Sequence, residues 1–120
     1  MGSYNISQMV DETGLTAHTL RYYERESLIQ NVPRDHGGRR SYNISHVKGV
    51  KFINALRSTG MPIKDIKRYL ALYNLGEETR PDRLALLKTH RDNVSAQLQQ
   101  IKTNLEVVDR KITGYEEGRY

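Results

Sequence analysis

Through the first 75 residues, apolar side chains recur three and four positions apart, the spacing that lines them up on one side of an α-helix. Ile6 and Val10 form such a pair, with Ser7 read as the N-cap of a first helix and Leu15 packing beyond the turn at Gly14. Thr16 then caps a second helix that ends near Glu26–Leu28. Leu20 faces inward, and His18, Thr19, Arg21 and Tyr22 fan over the rest of the cylinder at about 100° per residue. Ser45 caps a third helix running to about Thr59, with Val47, Val50, Ile53 and Leu56 on one side and Gly60 closing it. Pro62 opens a fourth as its first residue, with Ile63, Ile66, Leu70 and Tyr73 as its buried stripe. Lys64, Lys67 and Arg68 fall on that helix's exposed side, as solvated charges or as a phosphate-contacting corner.

The helical period is interrupted twice. Residues 29–42 carry one Pro and two Gly, and Arg34-Asp35-His36-Gly37-Gly38 reads as a β-hairpin tip with Val32 and Tyr42 on its arms. Asn74–Thr79 is a polar break containing Gly76. Beyond Pro81 the chain has no Gly or Pro as far as Thr113, and the period narrows. Leu84, Leu87, Arg91, Val94, Leu98, Ile101, Leu105, Val108 and Ile112 alternate three and four apart, and eight of the nine are apolar. That is a coiled-coil seam, on a helix roughly 50 Å long at 1.5 Å per residue. So narrow a stripe stays wet unless a second helix covers it, and two copies about a two-fold axis are the simplest source. Arg91 breaks the seam, setting register or snorkelling near an end. The expected organisation is a head over residues 1–75, a linker over 76–80, a dimerisation helix over 81–114 and a tail over 115–120.

Charge sharpens the division. The net charge of the 120 residues is +5; residues 1–75 hold 11 Lys/Arg against 6 Asp/Glu, and residues 76–120 hold 8 of each. All the excess positive charge therefore lies in the head, as a phosphate backbone would select. There is no cysteine, which excludes disulfides, thiolate metal sites and a redox thiol. No basic segment followed by an apolar run marks a signal peptide, and no apolar stretch approaches the roughly 18 residues of a membrane span. A cytoplasmic, nucleoid-associated protein without membrane contact is expected. His18, His36, His46 and His90 are scattered, with no spacing suited to a metal or a catalytic triad. The acidic pairs Asp11-Glu12, Glu77-Glu78 and Glu116-Glu117 sit at helix ends or in links. No enzyme, metal or cofactor is expected.

Two helices joined by a short Gly-containing turn, the second with a donor-rich outer face, read as a helix-turn-helix able to reach base edges and phosphates from the major groove. Three arginines around a glycine tip directly after it read as a wing along the DNA backbone.

These residues resemble the MerR family of bacterial transcription regulators. Ile6-Ser7-Gln8-Met9-Val10 with Thr13-Gly14-Leu15-Thr16 is similar to that family's first helix and turn, and Thr19-Leu20-Arg21-Tyr22-Tyr23-Glu24 to its most recognisable motif. Pro33-Arg34 and Gly38-Arg39-Arg40-Ser41-Tyr42 resemble its wing, and Gly60-Met61-Pro62-Ile63-Lys64-Asp65-Ile66 its second-wing helix. The resemblance covers essentially the whole chain and implies a mainly α fold: a winged helix-turn-helix followed by a long antiparallel coiled-coil dimerisation helix. It implies a homodimer on a pseudo-palindromic promoter site that bends and untwists an over-long spacer for RNA polymerase. Such a deformation costs several kcal/mol, offset by phosphate contacts. The contacts it implies fall on Thr16, His18, Arg21 and Tyr22, with Tyr23 packing inward or touching the backbone, and on the wing's Arg39, Arg40 and Tyr42. Thr19, Arg34 and Lys64 complete the candidate set. Leu84, Leu87, Val94, Leu98, Ile101, Leu105, Val108 and Ile112 are the candidate dimer contacts.

Three departures matter. Ser27 stands where the family has a glycine after the second helix. The wing is one residue longer. The segment Phe52–Gly60 is closest to the aldehyde- and thiol-stress-responsive branch, yet Ala55 occupies the position of its sensing cysteine. The effector is left unknown, and a DNA-binding dimer that organises or represses without sensing is the alternative.

Overall fold

The computed structural model describes residues 3–120. They fold as α1 (Ile6–Thr13), α2 (Ala17–Arg25), α3 (Ile44–Ser58), α4 (Ile63–Leu75), a 3₁₀ turn (Glu77–Thr79) and α5 (Arg80–Glu116). The chain divides into two compact units, one ending at Thr79 and one beginning at Arg80.

In the first unit, α1 packs on α2 and α3, and α3 on α4. Met9, Leu20 and Ile66 are wholly inaccessible to water, each stabilising the fold by about 1.5–3 kcal/mol through removal of apolar surface. Val47, Val50, Ile53 and Leu56, expected on one side of the third helix, are all buried. Gly14 takes the left-handed conformation after α1 (φ 73°), and its amide donates to the Val10 carbonyl. The Thr16 side chain accepts from the Thr19 amide at 3.1 Å, as expected of a cap.

Two other caps differ from expectation. Asn5, not Ser7, caps α1, and Asn43, not Ser45, caps α3. In each case the asparagine side chain accepts from the amide three residues on, and the side chain there, Gln8 or His46, accepts from the asparagine amide. The serines fall one residue inside the helices, past the position from which a hydroxyl can satisfy the first free amides. The tetrapeptide Tyr-Asn-Ile-Ser occurs at both places, 4–7 and 42–45. Its two tyrosines pair antiparallel, amide to carbonyl in both directions at 2.8 and 2.9 Å. Identical segments thus lock together and launch two neighbouring helices.

The connection after α2 forms the expected hairpin, held by isolated bridges rather than strands among the described residues. Arg34 pairs with Arg40, the Asp35 amide donates to the Arg39 carbonyl at 2.7 Å, and the Ser41 amide to Pro33 at 2.8 Å. The Asp35 carboxylate accepts from the Gly37 and Arg39 amides and closes the tip.

Pro62 is the N-cap of α4 rather than its first residue. Of that helix's expected stripe, Ile66 is buried and Ile63 and Leu70 are half-buried, but Tyr73 is 60% exposed. It lies in the last turn, where the helix has run past the core.

The second unit is a 37-residue helix, starting one residue earlier and ending two later than expected. Leu84, Leu98, Ile101, Leu105, Val108 and Ile112 are each about half exposed or more, and Leu87 and Val94 half-buried. The tail folds back: the Arg119 amide donates to the Gly114 carbonyl at 2.8 Å, and the Tyr120 ring lies 5.0 Å from that of Tyr115 under the Lys111 ammonium.

Candidate nucleic-acid interface

The outer face of α2 carries His18, Arg21 and Arg25, all exposed, with Thr19 and Tyr22 half-buried beside them. The Thr16 hydroxyl donates to the Thr19 hydroxyl at 3.0 Å, which fixes that side chain against the first turn. An open hollow of about 370 Å³ runs along this face, lined by His18, Thr19, Tyr22 and Tyr23 from α2 and by Asn54, Arg57 and Ser58 from α3. The α3 residues escaped the sequence reading, because on helical period alone they are merely the polar side of a core helix. Arg57 is the most consequential. Its guanidinium carbon stands 5.9 Å from the ring centres of both Tyr22 and Tyr23, a cation–π arrangement that brings a cation from α3 to the face of α2.

A second hollow, about 220 Å³, brings four arginines together: Arg21 from α2, and Arg34, Arg39 and Arg40 from the wing, with Asn5 and Ile6 at the start of α1. Arg34 donates to the Gly38 carbonyl at 2.7 Å, bracing the tip. Arg40 donates through Nε to Glu24 Oε2 at 2.7 Å, and the Tyr42 hydroxyl donates to Glu24 Oε1 at 3.2 Å. Glu24 raises the pKa of Arg40 by accepting its hydrogen bond. Burial first, and the Glu24 carboxylate second, push the Tyr42 hydroxyl up to about 12.

Two of the candidate residues lie almost wholly inside the head. Tyr42 and Tyr23 are 1% and 3% exposed; Tyr42 holds the wing to α2 through Glu24, and Tyr23 packs inward with only a sliver of its surface on the first hollow. Burial raises the Tyr23 pKa, while the charge of Arg57 opposes the shift. Thr16, His18, Thr19, Arg21, Tyr22, Arg34, Arg39 and Arg40 do converge on the two hollows or their edge. Lys64 lies exposed on the first turn of α4 and lines neither. Lys67, by contrast, donates to Glu26 at 2.8 Å, ties α4 to the end of α2, and holds the Glu26 carboxyl below the usual range.

The end of α2 carries strain. The Ser27 amide returns to the Glu24 carbonyl at 3.1 Å and the Leu28 amide to Tyr23 at 2.8 Å, which forces Ser27 to φ 63°. At the same place after α3 stands Gly60, with φ 95°. A left-handed conformation costs a residue with a Cβ about 1–2 kcal/mol. Among the described residues no group of three or more His, Cys, Asp or Glu side chains is placed to hold a metal ion.

A polar outer face on α2, a wing rich in arginine and a shared cationic hollow make a surface for a polyanion. Known proteins agree with that chemistry. Residues 4–72 match the family model described as MerR HTH family regulatory protein, and residues 47–111 match the one described as MerR, DNA binding. A helix-turn-helix transcriptional regulator from Haemophilus influenzae is 31% identical over 117 residues, covering 98% of this chain and 87% of its own length. The Bacillus subtilis regulator AdhR is 38% identical over 90 residues, 75% of this chain, which spans 64% of that relative. Among solved structures, HiNmlR, described as a MerR family regulator lacking the sensor domain and bound to promoter DNA, superimposes with a TM-score of 0.88 at 30% identity, covering 98% of this chain and 94% of its own. A MerR family protein from Listeria monocytogenes gives 0.87 at 31% identity, over 96% and 87% of the two chains. The chain thus belongs to the MerR family of helix-turn-helix proteins, DNA-binding regulators of transcription rather than enzymes.

Proposed function

We propose that two copies of this chain, joined along α5, bind a pseudo-palindromic promoter operator and distort its spacer so as to control RNA polymerase. The carrying observation is the continuity of Arg21, on the outer face of α2, with the wing arginines Arg34, Arg39 and Arg40 in one hollow. A base-reading helix and a phosphate-gripping wing that share a wall act on one duplex as a unit. The exposed seam on α5 supports the pairing, since an uncovered apolar stripe of that length is a surface awaiting its complement. The promoter-bound state described for HiNmlR supports the choice of duplex. The reading places the protein in the cytoplasm, on the nucleoid. No helix among the described residues is long and apolar enough to cross a membrane.

Transcription in vitro from a promoter with an elongated spacer tests the proposal, with and without added protein. A change in transcript yield that requires the operator supports it; binding with no effect on a poised polymerase sinks the spacer mechanism. A second reading, an architectural or constitutively repressing dimer, draws on one observation: Ala55, on the exposed side of α3, cannot perform thiol chemistry. Stimulation of the elongated-spacer promoter would reject that reading.

A further inference from the structure

We propose that the hollow between α3 and α4, behind the end of α2, is a binding site for a small planar aromatic anion. The hollow encloses about 460 Å³, within the range of about 300–1,000 Å³ typical of small-molecule sites. Its wall is mainly apolar. Ile53 lies buried in it, and Phe52 and Tyr69 line it with ring centres 5.6 Å apart and planes inclined at 53°, an aromatic wall to which a planar ring is suited. Tyr73, exposed against expectation, stands on the same wall.

The sign of the ligand follows from the polar lining. His46 uses both ring nitrogens, accepting from the Asn43 amide at 3.0 Å and meeting the Gln30 carbonyl at 3.0 Å. The Gln30 and Asn74 side chains bond to each other at 2.9 Å. Lys48 is then the one full charge on the lining, and no carboxylate faces it there. An anion matches it; a cation meets only repulsion.

Gly49 supplies an independent observation. It lies inside α3, where glycine is a poor helix former. A Cβ built on it meets no atom within 4 Å, so no neighbour in the chain requires the residue to be small. Its effect is to leave the α3 backbone bare along the hollow, as close approach by a ligand requires. The site rests on the geometry of the head and stands apart from the promoter reading.

The test is titration of the full-length protein with 8-anilinonaphthalene-1-sulfonate in the absence of DNA, followed by its emission. One probe per chain should bind, and Gly49→Leu, which adds bulk to the lining at a position whose Cβ has open space, should weaken it at least tenfold. Lys48→Glu should do the same, both with unchanged helix content by circular dichroism. Binding unaltered in both variants puts the probe elsewhere and overturns the site. Self-association that changes in Gly49→Leu gives the hollow to a second copy of the chain and also overturns it. The neutral analogue N-phenyl-1-naphthylamine binding as tightly as the sulfonate rejects the anion.

Discussion

Arg40 donates to Glu24 across 2.7 Å, and in doing so fastens the wing to the reading helix. Tyr42, two residues on, takes the other oxygen of the same carboxylate. The wing is therefore positioned by an acidic residue, beside a hollow lined by four arginines. Hydrogen bonds to charged groups contribute about 1.5–3 kcal/mol, less where one partner is partly solvated, and the Arg40 side chain is 35% exposed. Glu24→Ala should lower the unfolding free energy by about 1–2 kcal/mol on that basis, read as a lower urea midpoint at constant slope. Affinity for operator and scrambled duplexes should fall together if, as proposed, the displaced wing grips phosphates. An unchanged midpoint would show that the brace holds nothing.

The same cluster sets a pH dependence. With its hydroxyl pushed up to about 12 in the fold, against 10 in a free tyrosine, Tyr42 keeps its proton when the unfolded chain has lost it. Its contribution is complete below pH 10 and disappears as pH rises through about 12, a fall of about 2–3 kcal/mol. Tyr42→Phe should flatten the decline in urea midpoint between pH 9 and 12, with buried Tyr23 leaving a residual slope. A decline equally steep in the variant would place the proton elsewhere.

Ser27 holds a conformation that glycine adopts freely, and α3 uses Gly60 for the same turn. Ser27→Gly should raise stability by about 0.5–1 kcal/mol, the relief of a left-handed Cβ offset in part by the greater freedom of an unfolded glycine. Thermal unfolding measures it, and a lower Tm in the variant would mean that the serine side chain makes a compensating contact.

Much of this was legible in the order of residues. The inward set of α3, the Thr16 cap, the Gly14 turn and the long unbroken α5 each rest on residues close together in the chain, which local sequence records. The caps of α1 and α3 were misread because serine and asparagine are both good capping residues and stand two apart. The side chain three residues on decides between them: Gln8 follows Asn5 and His46 follows Asn43, and each returns a bond to its cap, whereas Val10 and Lys48 follow the serines. Tyr42 enters the candidate set through the family resemblance alone; its backbone partner is Tyr4, far off in sequence, and only the fold brings the two together. Arg57 joins the reading face for the same reason: no period on α3 encodes a neighbour on α2.

Arg21 and Arg39 should part in their effects on DNA binding. Arg21 projects from the reading helix, so Arg21→Ala should cost about 1–3 kcal/mol at one position of each half-site and relax discrimination there. Arg39 rides on the wing, so Arg39→Ala should weaken binding to every sequence and reduce the dependence of log Kd on log salt by about one. Titrations of operator and scrambled duplexes at several salt concentrations separate the two. Equal, sequence-blind losses would take base reading away from Arg21.

Leu98 is the middle of the nine seam positions between Leu84 and Ile112. In an antiparallel pair the middle position lies on the two-fold axis, so Leu98 would meet its own copy. In the single chain it is 53% exposed, and an aspartate there would be hydrated at little cost to the helix. In the pair, Leu98→Asp sets two carboxylates against each other in an apolar seam, which combines lost burial with like-charge repulsion. Sedimentation velocity should show a monomer with its head intact. Thr103→Asp, on the opposite side of the helix, should leave the pair whole. Operator affinity should fall at least about 100-fold in the first variant alone, because the second head loses the effective concentration that the first provides. An intact dimer in Leu98→Asp would mean that the copies meet along some other face, and the operator would then have to be read with a different spacing between half-sites.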